Sequence, residues 1–101
     1  MDLHIREATP DDAETIVALI GELAAMEGET SPLTAGYAAA YLSRPGVGVL
    51  LAEEAGQALG LLSYGIRANL YHAGDTCVID ELVVREDARG RGVGSALLRG
   101  V

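Results

Sequence analysis

The stretch Val78-Ile79-Asp80-Glu81-Leu82-Val83-Val84-Arg85-Glu86-Asp87-Ala88-Arg89-Gly90-Arg91-Gly92-Val93-Gly94-Ser95-Ala96-Leu97-Leu98 decides how this chain is read. An apolar strand runs into a glycine-rich turn, and the turn opens a helix. Gly90, Gly92 and Gly94 carry no Cβ, so an anion can approach the backbone N–H groups closely. The free N–H groups and the dipole of the helix start favour a phosphate there. Arg89 and Arg91 can add charge-assisted hydrogen bonds. The pattern calls for a diphosphate.

Working outward, Thr76 to Val84 reads as the strongest strand of the sequence, with His72-Ala73-Gly74-Asp75 as the turn before it. Ala58 to Arg67 is an earlier strand that extends toward Tyr71, and its Gly60 and Gly65 suggest a bulge or a close backbone approach. Ala55-Gly56-Gln57 is a tight turn after a strand at Val47 to Glu54. The short turns predict an antiparallel meander. Further upstream, Ser31-Pro32 or Thr34 starts a helix through Tyr37, Tyr41 and Leu42 that Pro45-Gly46 ends. Thr9-Pro10-Asp11-Asp12 is a helix start: Thr9 as cap, Pro10 in the first position, two carboxylates against the positive end. Ala13, Ile16, Val17, Ile20, Leu23 and Ala24 follow at helical spacing to about Met26. Leu3 to Glu7 alternates as a half-buried strand. The predicted order is β-α-α-β-β-β-α.

Composition narrows the function. The 101 residues suffice for one domain with a single core, and 50% of them are hydrophobic, so the chain folds. Four Tyr are the only aromatics, so aliphatic packing carries the core. Net charge is −8, with 15 acidic and 7 basic residues, all of the latter Arg. Such a balance argues against nucleic-acid and anionic-membrane partners. Arg85, Arg89, Arg91 and Arg99 nevertheless gather near the C-terminal end, where an anion would be received. Cys77 is the sole cysteine, which excludes an intrachain disulfide and fits a reducing cytoplasm. No apolar run is long enough to span a bilayer, and MDLHIREATP has no secretory pattern. His4 and His72 read as surface residues without metal-ligand spacing, so no metal is expected. Cys77 reads as a small buried residue, and Tyr37, Tyr41, Tyr64 and Tyr71 as packing or surface residues.

Three glycine-loop chemistries compete for the turn. A dinucleotide loop needs a second parallel strand and an acidic residue about 20 positions on, which this stretch does not reach. A P-loop needs Gly-Lys-Ser/Thr, and the chain contains no Lys. The third pattern, Arg/Gln-x-x-Gly-x-Gly/Ala, is satisfied by Arg89-Gly90-Arg91-Gly92-Val93-Gly94. In this loop and in the elements before it the chain resembles the GCN5-related N-acetyltransferase (GNAT) family. Thr9 to Asp12 resembles the start of the family's first helix, Val47 to Arg67 its strand 2–strand 3 hairpin, and Cys77 to Leu98 its strand 4 and helix 3. The resemblance covers essentially the whole chain but only the N-terminal part of the family fold, strand 1 to helix 3. The expected fold is therefore α/β (α+β), with a GNAT-like mixed sheet. Residues 1–101 are read as a single truncated domain lacking the usual C-terminal β-α-β-β.

The resemblance implies a site. Acetyl-CoA, as co-substrate, would lie against strand 4, with the backbone of Leu82, Val83 and Val84 pairing with the pantetheine arm. The N–H groups of Arg89, Gly90, Arg91, Gly92, Val93 and Gly94 would meet the pyrophosphate, with Ser95 adding another. The Leu82 N–H would polarise the thioester oxygen. An acceptor amine of pKa about 10 is only roughly 0.1% neutral at pH 7, a handicap of about 4 kcal/mol. A positioned base contributes about 10²–10⁴-fold, and Glu81 is the candidate. Asp80 would point to the other face of a regular strand, an alternation that a bulge would blur. The acidic loop Glu27 to Glu29 is a candidate rim for a cationic acceptor.

Two functions from different classes remain open. One is an acetyl-CoA-dependent N-acetyltransferase acting on a primary amine of a small molecule or protein, cytoplasmic, its missing half supplied by a partner chain, a strand exchange or sequence beyond this boundary. The other is a catalytically silent CoA-binding or interaction module. An uncovered strand 4 would offer unpaired backbone groups, so a homodimer is expected.

Overall fold

The computed structural model describes residues 2–101 and places them in one four-stranded sheet with three α-helices. The strands are β1 (His4–Glu7), β2 (Val47–Glu54), β3 (Gln57–Asn69) and β4 (Gly74–Val84), side by side in that order and antiparallel throughout. The helices are α1 (Ala13–Met26), α2 (Ala35–Leu42) and α3 (Val93–Gly100). The order of elements is the one read from the sequence, and Val47–Glu54 carries the expected bounds. No helix of the described residues is long and apolar enough to cross a membrane.

Each end has a local cause. Pro10–Asp12 forms a single 3₁₀ turn before α1 proper, and the Asp12 carboxylate accepts from the Thr9 N–H at 2.7 Å. Thr34 starts α2, its hydroxyl accepting from the Tyr37 N–H at 3.1 Å. The β2–β3 turn puts Ala55 at φ 52° and Gly56 at φ 78°, two successive left-handed residues matching the twist of a tight hairpin. The next turn falls earlier than expected, before Gly74, so β3 and β4 run longer, with Asn69 paired to Gly74. β2 stops at the Val47–Gly65 pair. The far part of the β3–β4 hairpin thus extends beyond its neighbours, leaving Leu70 and Tyr71 98% and 91% exposed.

That projection corrects one expectation. Cys77 is exposed rather than buried. It pairs with Ile66 in the projecting hairpin, on the edge strand, where no other element covers it.

Two apolar layers flank the sheet. On one face Ala13, Ile16 and Leu19 of α1 and Ala38 of α2 pack on Val49, Leu51, Leu61 and Val83. On the other, Ala88, Val93 and Leu97 pack on Leu50, Ala52, Leu59 and Leu62. Alternation along β2 and β3 sends successive leucines to opposite layers. Leu51, Leu61 and Leu62 are at most 1% exposed, and burying each such side chain stabilises the fold by about 1.5–3 kcal/mol. Gly60 shows why a glycine interrupts β3. A Cβ there would lie 2.9 Å from the Val83 carbonyl oxygen and 3.1 Å from Val93 Cγ1. Its absence lets α3 sit directly on the sheet.

Arg6 ties the first strand to the α1 start. Its guanidinium reaches Asp12 at 2.7 Å and Glu53 at 2.7 Å. This pairing holds the Asp12 carboxyl down at about 2 and lowers Glu53 as well, in both cases chiefly through the Arg6 hydrogen bonds.

Candidate active site

The glycine turn is fixed from both sides. Ala88 and Val93 are 1% exposed and anchor the chain before and after it. Between them Gly90 (φ 79°) and Gly92 (φ 80°) adopt left-handed backbone, and a Cβ on either would meet nothing within 4 Å. Space is therefore open in front of the turn. Gly92 is the cap of α3 and has no side chain of its own to close the helix start. Its carbonyl accepts from the Ala96 N–H at 3.0 Å. The preceding N–H groups, those of Val93, Gly94 and Ser95, belong to the first helical turn and have no intrahelical carbonyl to reach.

The Arg side chains of the turn have acceptors within the protein. Arg89 donates to the Val84 carbonyl at 3.2 Å and to Met26 Sδ at 2.9 Å. Arg91 donates to both carboxylate oxygens of Glu54 at 2.8 Å. Both are exposed, where such pairs contribute little to stability. The left-handed glycine backbone, not these side chains, defines the open face of the turn.

β4 is an edge strand, and among the described residues no strand lies on its outer side. The Arg85 N–H donates to the Leu59 carbonyl at 2.8 Å. Antiparallel alternation then turns Val83 toward β3 and the main-chain groups of Leu82 and Val84 outward. Of the three expected pairing residues, Leu82 and Val84 thus present edge groups, and the Val84 carbonyl already accepts from Arg89. Val83 is committed to β3 and to the core, at 3% exposure.

Glu81 sits at the other end of this short run. It borders a cleft of about 580 Å³ between α1, α2, the segment joining them and the sheet. The Ser63 hydroxyl, 4% exposed, donates to the Glu81 carboxylate and accepts from the Glu81 N–H at 3.0 Å. Sequence reasoning passed over Ser63, whose signal was slight: a lone hydroxyl inside the apolar run Leu59-Gly60-Leu61-Leu62-Ser63.

The bulge that blurs alternation at Asp80 is present. The β3–β4 register shifts between Ser63 and Tyr64, pairing Ser63 with Glu81 and Tyr64 with Ile79, so Asp80 is the extra residue of a bulge. Alternation breaks there. The Asp80 carboxylate lies 3.9 Å from where a Gly65 Cβ would stand, and together with Glu81 it acts on Tyr41. The Tyr41 hydroxyl is pushed above its usual range, first by burial and then by the Asp80 and Glu81 charges. Both carboxylates therefore act on one phenol of the cleft. The acidic loop ends just before Ser31, where the cleft wall begins.

This geometry agrees with what the chain is similar to. The sequence profile of the acetyltransferase (GNAT) family matches residues 13–101. The chain belongs to that family. It is 37% identical over 95 residues to an aminoalkylphosphonate N-acetyltransferase of Salmonella typhimurium, a match covering 94% of this chain and 61% of the relative. This chain thus spans less than two thirds of that relative's length. Among solved structures, a ribosomal-protein-alanine N-acetyltransferase from Brucella melitensis biovar Abortus superposes with a TM-score of 0.85 at 21% identity, over 99% of this chain and 69% of that one. An aminoglycoside acetyltransferase from an uncultured soil metagenomic sample, in complex with sisomicin, gives 0.82 at 19%, over 97% and 66%. These two likenesses speak for the fold alone.

Proposed function

We propose that this chain, a single acetyltransferase domain over 1–101, works as an acetyl-CoA-dependent N-acetyltransferase on a primary amine of a small molecule or protein. The observation that carries the proposal is one adjacency. An open, side-chain-free helix start lies at one end of the exposed β4 edge, and Glu81 lies at the other, three residues before Val84 and beside a cleft.

The diphosphate of acetyl-CoA would rest on the N–H groups from Arg89 through Gly94, with Ser95 at the rim. The pantetheine arm would run along β4 as an added strand against Leu82 and Val84. The Leu82 N–H would hold the thioester oxygen and stabilise the charge that develops as the carbonyl becomes tetrahedral. Glu81 would take the proton from the acceptor ammonium, directly or through water, and Ser63 would hold its carboxylate in place. The neutral amine attacks the thioester carbon, the C–S bond breaks, and the thiolate leaves with a proton. The Salmonella relative is named for aminoalkylphosphonates, and the feature carried over from it is the alkyl-borne primary amine.

The groups that complete the site would come from a second chain or from sequence beyond Val101. A homodimer through the outer edge of β4, where Ile79 is 40% exposed, supports such sharing. A monodisperse monomer in light scattering would refute that contact. The proposed setting is the cytoplasm, where acetyl-CoA and a reduced Cys77 are compatible.

The test is calorimetric titration with acetyl-CoA beside a thiol-release assay. The wild type should bind and release thiol only with an amine present. Glu81→Gln should keep the affinity within about twofold and lose about 10²–10⁴ in turnover. Binding without release would favour a silent CoA-binding module. Absence of binding would refute both readings.

A further inference from the structure

The walls of the cleft beside Glu81 are chemically one-sided. Ile16, Ile20 and Leu33 form an apolar side with Tyr37 and Tyr41, and the hydroxyls of Ser31 and Thr34 beside them accept from the Leu33 and Tyr37 N–H groups. Polar chemistry at the sheet comes from Ser63 and Glu81, and Asp80, outside the lining, stands in the adjoining bulge beside Gly65. No Arg or His is among the described residues that line the cleft, and the chain has no Lys. Arg44 is the cation recorded next to a lining residue: its guanidinium carbon lies 5.5 Å from the Tyr37 ring centroid, a cation–π contact outside the cleft lining.

We propose that this cleft takes a monoamine with an apolar or aromatic body and no anionic group. The inference rests on the acetyl-transfer reading above and specifies its acceptor. The ammonium is drawn to the carboxylate end, where it must arrive to be deprotonated. The body then displaces water from aliphatic and aromatic walls, which favours transfer in proportion to apolar area. A phosphonate or carboxylate on the same molecule would find no cation on the walls that the described residues supply, and Glu81 would repel it. A polyamine would leave its further ammonium groups against the apolar side. The structure therefore favours acceptors that become more apolar away from the amine.

The test reads binding and turnover separately. The chain has four Tyr and no Trp, and two of the four border the cleft, so intrinsic Tyr fluorescence reports occupancy. Propylamine through hexylamine, 2-phenylethylamine, spermidine and 2-aminoethylphosphonate are titrated into the full chain saturated with CoA. Thiol release from acetyl-CoA is followed in parallel. Affinity should rise about fourfold for each added methylene, and 2-aminoethylphosphonate should bind at least tenfold more weakly than propylamine. Tyr37→Ser, at a position 52% exposed and so compatible with folding, should flatten the gain for 2-phenylethylamine. Arg44→Gln should leave alkylamine affinity within twofold.

A flat methylene series overturns the inference. So does a phosphonate that equals or exceeds propylamine, above all if Arg44→Gln removes that affinity. Acetyl-CoA binding with no amine binding also overturns it, while leaving the cofactor half of the proposed function standing. Graded amine binding without acetyl-CoA binding supports the cleft chemistry and refutes the transferase reading.

Discussion

Replacing Gly60 by Ala should cost stability out of proportion to one methyl group. The new Cβ would stand 2.9 Å from the Val83 carbonyl oxygen, 3.1 Å from Val93 Cγ1 and 3.3 Å from Leu97 Cδ1. The first contact is backbone, so it cannot be relieved by a rotamer change. Either β4 or α3 has to move, and Leu97 and Val93 are among the most buried residues of the chain. Overpacking of this kind typically costs about 1–3 kcal/mol, here toward the upper end. Some of this is offset by the reduced entropy of the unfolded chain, about 0.4–1 kcal/mol. The net expectation is a loss of about 2 kcal/mol, or roughly 8–16 °C in Tm for a domain of this size. Gly21→Ala supplies the internal control. Gly21 lies within α1, and a methyl group added there would have nothing inside 4 Å, so the same chemical change should stabilise by about 0.5–1 kcal/mol. Urea unfolding of the three proteins, followed by far-UV circular dichroism, gives both signs. A neutral or stabilising Gly60→Ala would mean that α3 does not sit directly on β3. The placement of the helix start beside the β4 edge would then be wrong as well.

Three further outcomes are expected. Gly92→Ala forces a Cβ into left-handed backbone at φ 80° and should lower stability by about 1–2 kcal/mol and weaken acetyl-CoA binding, read by calorimetry. Asp12→Asn should be about 1 kcal/mol less stable than wild type at neutral pH, allowing for the partial exposure of Arg6. Asp12 is held below its unfolded value, so its contribution is complete above about pH 4 and is lost as pH falls through about 2; urea midpoints of the two proteins should converge over that window. In an alkaline ultraviolet titration, Asp80→Asn should bring the Tyr41 ionisation down toward the ordinary phenol range. No change would mean that the Asp80 charge does not reach Tyr41.

Local chemistry explains which parts of this molecule could be read from its sequence. The strand, glycine turn and helix start at Val78 to Leu98 follow from backbone needs that leave a direct mark on residue type, and they fall where expected. The pairing of β2 with β3 was equally plain, since a two-residue turn fixes it. The direction of Asp80 stayed open between regular alternation and a bulge, because it depends on a register shift against Ser63 and Tyr64, residues far away in the chain. Cys77 was misplaced for a related reason. Its surroundings depend on where β2 stops relative to β3, which no pattern within β4 encodes. The cleft itself was invisible because its walls come from α1, α2 and three strands, each reading locally as ordinary core.

The hairpin turns carry a consequence for protein engineering. Ala55 and Ala73 both occupy left-handed backbone, at φ 52° and 54°, where a β-carbon is unfavourable and Gly or Asn is at ease. Neither position borders the cleft beside Glu81 or the glycine turn before α3. Asn at either place should relax the chain without altering what it recognises. These two loop tips are therefore the natural starting points for a hardier version of the domain.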